Sequence, residues 1–168
     1  MRQAEAPVQL EKIRRRAEFI IDEALTSNPT RDQAVTFCMR VISNWATVGK
    51  DASSSEIKRR NCRLSRAALD LRNVFAPVEW LQSVTNEHQE PLSAVWDWII
   101  SQGRDVTADK LIQRFLDFPM VTITLGEDAA LRRLGLYSKG NPIERYKSAN
   151  IDLVVISPEQ NVKYFKKR

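Results

Sequence analysis

The chain carries one histidine and two cysteines in 168 residues. A single imidazole excludes any metal site that needs two, and it leaves His88 as the one candidate for histidine acid–base chemistry. His88 sits in the polar run TNEHQEP, which reads as an exposed loop, so a solvated side chain is expected there. Cys38 and Cys62 are too few for a disulfide scaffold and form no C-x-x-C pair. Both fall in helical patterns, where a small buried thiol is ordinary, and both fit a reducing compartment. No serine stands in a nucleophile-elbow context, and the acids of residues 77–118 show no pairing of the acid/base kind. We therefore assign no catalytic residue, no metal ligand and no cofactor.

Long apolar runs are lacking too. The longest, such as AVWDWII and IDLVVIS, fall far short of the roughly 20 residues that span a bilayer. The opening MRQAEAPVQLEKIRRR has no apolar core of the secretory kind. These absences point to a soluble protein of the cell interior (cytoplasmic), with no membrane partner.

What the chain does have is enough apolar residues to build a core, 43% against 28% charged, and a net charge of +5. The charge is segmental. Residues 1–50 hold 8 basic and 6 acidic side chains, 51–76 hold 6 and 3, 77–118 hold 3 and 7, and 119–168 hold 9 and 5. An acidic stretch lies between two basic ones, a layout that favours acidic partners at its ends.

Apolar spacing predicts a helix from Pro7 to about Leu25, and a second one, capped by the Thr30/Gln33 pattern, running to a stop at Gly49. A third is predicted over 56–75 from a cap at Ser54 or Ser55. A short helical turn over VEWLQSV follows, then helices through Trp96 and through Phe115, stopped by Gly103 and capped by Thr107 respectively. After Pro119 the period changes. MVTITL and IDLVVIS read as strands, expected to pair, with the two helices EDAALRRLG and NPIERYKSA between them. The expected fold is mainly helical α+β: an N-terminal bundle of four to five helices over 1–118, then a small β-α-α-β unit over 119–168 with a basic tail.

In the predicted third helix, Ile57, Leu64, Ala68, Leu71 and Phe75 form one apolar stripe, which stacks Arg59, Arg63 and Arg66 on the opposite face with Lys58 and Arg60 beside them. Stacked like charges cost about 0.2–0.5 kcal/mol per close pair. Two explanations stand: a face that is solvated or paired with the acids of 77–118, or a phosphate-binding surface in which arginine supplies forked hydrogen bonds as well as charge. A second basic region contains Arg132, Arg133, Lys139, Arg145 and Lys147, with Arg145 and Lys147 expected to point outward. The C-terminus adds Lys163, Tyr164, Phe165, Lys166 and Lys167, an alternation of cations and rings suited to a nucleic-acid strand, and equally a solubilising tail. TLGEDAA has the strand–glycine–helix form of a phosphate loop, but Glu127 and Asp128 would repel an anion. SKGN before Pro142 is the better phosphate candidate of the two, with Lys139 and Gly140, and an ordinary turn is the reading set ahead of it.

The function expected from this pattern is a non-catalytic nucleic-acid-binding or accessory protein, with DNA or RNA as partner. The alternative is an adaptor or subunit that docks on another protein through the acidic segment 77–118, where Trp98 falls off its helix's apolar stripe. A metal-independent ribonuclease built on Arg145, Tyr146 and Lys147 comes third.

Overall fold

A computed structural model of the chain describes residues 5–166, as ten α-helices and four short strands. The helices are α1 (Glu5–Ala24), α2 (Gln33–Val48), α3 (Ser54–Arg60), α4 (Arg66–Asp70), α5 (Pro77–Ser83), α6 (Leu92–Gln102), α7 (Ala108–Asp117), α8 (Leu125–Arg133), α9 (Glu144–Ser148) and α10 (Pro158–Phe165). The strands are β1 (Arg63–Ser65), β2 (Val84–Glu87), β3 (Val121–Thr124) and β4 (Leu153–Val155). The protein is mainly helical α+β, as its periodicity implies, and no helix among the described residues is long and apolar enough to cross a membrane.

Four helices make the bundle. Ile13, Ala17, Ile20 and Ala24 of α1 meet Val35, Met39 and Ile42 of α2, Val95, Trp96 and Ile99 of α6, and Leu111, Ile112 and Phe115 of α7 in one apolar cluster. Two of the expected stops hold: Gly49 and Gly103 both take positive φ, which glycine adopts without strain. The expected caps shift by a residue or two. Asp32, not Thr30, caps α2 by accepting from the Val35 amide, and Ser53 caps α3. Thr107 caps α7 as its sequence suggests.

The sheet departs from expectation. Its order is β2-β3-β1-β4, with β1 parallel to β3 and antiparallel to β4, and β2 antiparallel to β3. The two strands anticipated after Pro119 are therefore not partners. β1 lies between them, and it comes from the middle of the predicted 56–75 helix. That helix is broken by Asn61, which is 2% exposed. Its Oδ1 accepts from the Arg63 amide, and its Nδ2 donates to the Met120 carbonyl (3.0 Å) and to Thr122 Oγ1 (3.2 Å). Side-chain bonding of this kind offers the backbone an alternative to the helix. Ser65 then caps α4 through the Ala68 amide. Ile57, Leu64 and Ala68 are buried nonetheless, and Leu71 and Phe75 pack partly buried against the second apolar cluster, so the predicted stripe reaches the core without sharing a helix face.

The β2–β3 pair is interrupted in sequence by α6 and α7: residues 88–91 carry the chain out of the sheet into the bundle, and 118–120 bring it back. At the far end, Ser157 and Gln160 form a capping box with Pro158 in the first turn, and the segment expected to be a tail is helix α10. Tyr164 of α10 packs with Trp80, Leu64 and Ile156 in a second apolar cluster. Val121, Ile123, Leu131, Tyr146 and Ile151 form a third.

Candidate nucleic-acid interface

Breaking the 56–75 helix disperses the expected arginine stack. Arg59 remains exposed at the end of α3, with its guanidinium 5.4 Å from the centre of the Phe165 ring. Arg63 is exposed on β1 opposite Val155 of the edge strand. Arg66, at the start of α4, lies 3.5 Å from Asp152 in an open ion pair. None of the three pairs with an acid of 77–118 among the described residues. Lys58 is turned inward, its Nζ donating to the Leu81 carbonyl at 2.9 Å, and burial holds its pKa below the usual lysine value.

A different assembly takes the place of the stack. Asn161 of α10 is 2% exposed, and its Nδ2 donates to the carbonyls of Arg59 (2.9 Å) and Asn61 (3.4 Å). The Ile156 amide donates to the Cys62 carbonyl at 2.9 Å. These bonds latch α10 onto the α3–β1 corner, and α10 carries exposed Lys163, with exposed Lys166 capping its end, next to the ring beneath Arg59. Among the described residues, Arg59, Arg63, Lys163 and Lys166 enter no ion pair. Glu159 is the acid nearest to them on α10. Its carboxyl is held below the usual range by its own backbone amide and by Ser157.

One residue expected in this interface does not belong to it. Tyr164 is 5% exposed and donates its hydroxyl to the Phe75 carbonyl. It also meets Trp80 and Phe165 edge-on, so it is core and has no face left for a base. Lys167 lies outside the described residues. Under this face sits Arg72, 7% exposed, its guanidinium 4.3 Å from the Trp80 ring and 4.8 Å from the Tyr164 ring. Its Nε and Nη2 have no hydrogen-bond partner, and desolvation pushes its pKa down to about 10. Cys62 lies close to it in the loop before β1, not in a helix, and burial raises its thiol pKa above the usual value.

The second basic region is taken apart more thoroughly. Arg145, expected to face outward, is 1% exposed. Its Nε donates to the Leu136 carbonyl, its Nη1 to the carbonyls of His88 and Gln89, and its Nη2 to Glu87 Oε1 (2.7 Å) and the Tyr137 carbonyl. All five guanidinium hydrogens are used, as a buried arginine requires. Tyr146 is also buried, its pKa raised by desolvation, so two of the three side chains of the ribonuclease reading are inside the protein. Arg132 pairs with Asp128 and lies 3.7 Å from the Tyr137 ring centre. Arg133, Lys139 and Lys147 are exposed. TLGEDAA is the cap and first turns of α8, not a loop. Glu127 is committed to its capping box with Thr124 and accepts from Ser65 Oγ at 2.6 Å.

The segment expected to be an exposed polar loop is pinned at both ends. Glu87 pairs with Arg145. Glu90, 5% exposed, pairs with Arg114 through two bonds, and the Arg114 guanidinium lies 4.4 Å from the Trp98 ring centre. Trp98 is thus half-buried against the bundle and covered by an arginine. His88, between the two carboxylates, is partly exposed as a residue, but its Nε2 is shut off from water and has no partner. Desolvation, with Arg40 and Arg145 nearby, pushes its pKa down to about 4. These pins are absent from any sequence pattern, because Arg145 and Glu87 are 58 positions apart.

The chain matches no protein-family model, no curated protein and no solved structure. Among the residues whose placement is described, no group of three or more His, Cys, Asp or Glu side chains is arranged to hold a metal ion.

Proposed function

We propose that the protein binds nucleic acid without cleaving it, holding the phosphate backbone on the surface where α3, β1 and α10 meet. The observation that carries the reading is the Asn161 latch. It joins two distant parts of the chain, the corner that carries exposed Arg59 and Arg63 and the helix that carries exposed Lys163 with Lys166 at its end, and none of the four enters an ion pair among the described residues. Positive charge not consumed inside the fold is the electrostatic footprint of a phosphate-binding surface. With Tyr164 in the core, stacking adds little, so the binding is driven by charge and indifferent to base sequence.

The test is a gel-shift titration against single- and double-stranded DNA and RNA at several salt concentrations, repeated with an Arg59→Ala/Arg63→Ala/Lys163→Ala variant. Binding should weaken steeply with salt. The variant should flatten the plot of log affinity against log salt by roughly 2–3 while melting like the parent. A slope that does not change, or a complex indifferent to salt, overturns the reading. A stable oligomer with no affinity for any of the four probes would favour a subunit role instead.

A further inference from the structure

A cleft of about 390 Å³ opens between the bundle and the sheet, lined by Arg31 just before α2 and Arg40 within it, Asn86 and His88 at the end of β2, Ser93 of α6, and Tyr137. Its size lies within the range of about 300–1,000 Å³ typical of small-molecule sites. We propose that this cleft binds a small phosphomonoester, with Arg31 and Arg40 holding the phosphate.

The walls are held by polar bonds, the Arg145–Glu87 bond among them buried. Arg145 fixes Glu87, His88 and Gln89 on one rim and Leu136 and Tyr137 on the other. Ser93 Oγ donates to the Ser138 carbonyl at 2.7 Å, which closes the remaining side. A fully buried arginine contributes less to a core than an apolar side chain of its size would. What it supplies here is a cleft with a fixed shape.

The charge in the cleft is positive and unspent. Glu87 is the carboxylate of the lining, and it is neutralised by Arg145 at 2.7 Å. Arg31 and Arg40 are exposed and enter no ion pair among the described residues. The same two arginines border a second hollow of about 540 Å³, where the acid is Asp32, already accepting from the Val35 amide as the cap of α2. Two guanidinium groups with no carboxylate partner suit a dianionic phosphate, which each can grip with parallel N–H bonds. His88 lines the cleft as well, and because its Nε2 is shut off from the open space the ring bounds the site and leaves the grip on the ligand to the two arginines. The exposed ring of Tyr137 borders the same space and offers an apolar edge to the ester's organic part.

His88 is the chain's only histidine, so its imidazole resonances report on the cleft without assignment. The full chain is titrated with AMP, with inorganic phosphate and with adenosine while these resonances are followed. AMP and phosphate should give saturable shifts with dissociation constants below about 1 mM, and adenosine none. An Arg31→Gln/Arg40→Gln variant, altered only at exposed positions, should retain the parent's melting and weaken AMP binding at least tenfold. The Arg59/Arg63/Lys163 variant should bind AMP normally, which keeps this site separate from the nucleic-acid surface. No saturable shift, equal shifts with adenosine, or undiminished binding in the Arg31/Arg40 variant overturns the proposal.

Discussion

Arg145 Nη2 and Glu87 Oε1 lie 2.7 Å apart, with the arginine side chain wholly shielded from solvent and the glutamate nearly so. Desolvation raises the Glu87 pKa and the adjacent guanidinium opposes it, so the pair is held together by what each ion would cost alone. Removing the arginine leaves a buried carboxylate and several carbonyls unpaired. Arg145→Leu should therefore destabilise the protein by about 3–5 kcal/mol in urea unfolding. Glu87→Gln, which keeps an oxygen for the guanidinium, should cost about 1–3 kcal/mol. The double variant should cost less than the two together by at least about 1 kcal/mol, as contacting pairs do. Strict additivity would mean that the two side chains are not coupled.

His88 gives stability a pH dependence of known sign. Its folded pKa, about 4, lies below the unfolded value near 6.5. The unfolded chain therefore binds the proton first as pH falls, and the contribution of this residue is lost progressively between about pH 6.5 and pH 4. The difference is worth about 3 kcal/mol at most. Glu87, with its pKa raised, acts in the opposite direction, gaining stability as pH falls toward its own folded value. The clean measurement is the difference in unfolding free energy between the parent and His88→Gln across pH 4 to 7. That difference should shrink on acidification. A constant difference would place the imidazole in solvent.

Which parts of this fold were legible in sequence follows from where the signals lie. Gly49, Gly103 and Thr107 act within a few residues of themselves, and the bundle helices they bound are where spacing put them. The 56–75 helix misleads because its apolar spacing is right while Asn61 and Ser65 carry the opposite message, and Asn61 acts by reaching Met120 and Thr122 some 60 positions away. Helix α10 was legible: Ser157-Pro158-Glu159-Gln160 is a capping box with a first-turn proline, masked by the basic residues after it. The cleft was not. Its rims are joined by Arg145, and nothing local to residue 145 distinguishes a buried clamp from a solvated cation.

Arg72 tests how a cation without a carboxylate is kept in a core. It lies against Trp80 and Tyr164 with two guanidinium nitrogens unpartnered, and desolvation is what depresses its pKa. Planar stacking on the rings is the favourable part, and lysine cannot reproduce it. Arg72→Lys should be more destabilising than Arg72→Met, by about 1 kcal/mol or more, because methionine fills the space and leaves no buried charge. Thermal melting of the two variants decides the order, and a lysine variant as stable as the methionine one would mean that the charge is already well solvated.

Asn161 separates charge from its placement. The residue is neutral, so Asn161→Ala changes no cation on the proposed nucleic-acid surface, but it removes both bonds from α10 to the carbonyls of Arg59 and Asn61. Two lost bonds, offset partly because Oδ1 has no partner to lose, should cost about 1–2 kcal/mol of stability. Faster amide exchange along α10 should accompany the loss, since that helix is tied down by few other polar contacts. Affinity for a 20-base single strand should then fall at fixed salt, with a shallower salt dependence, as Lys163 and Lys166 are no longer held against the corner that carries Arg59 and Arg63. Loosened exchange with unchanged affinity would show that the strand does not use α10, and would confine the interface to the α3–β1 corner.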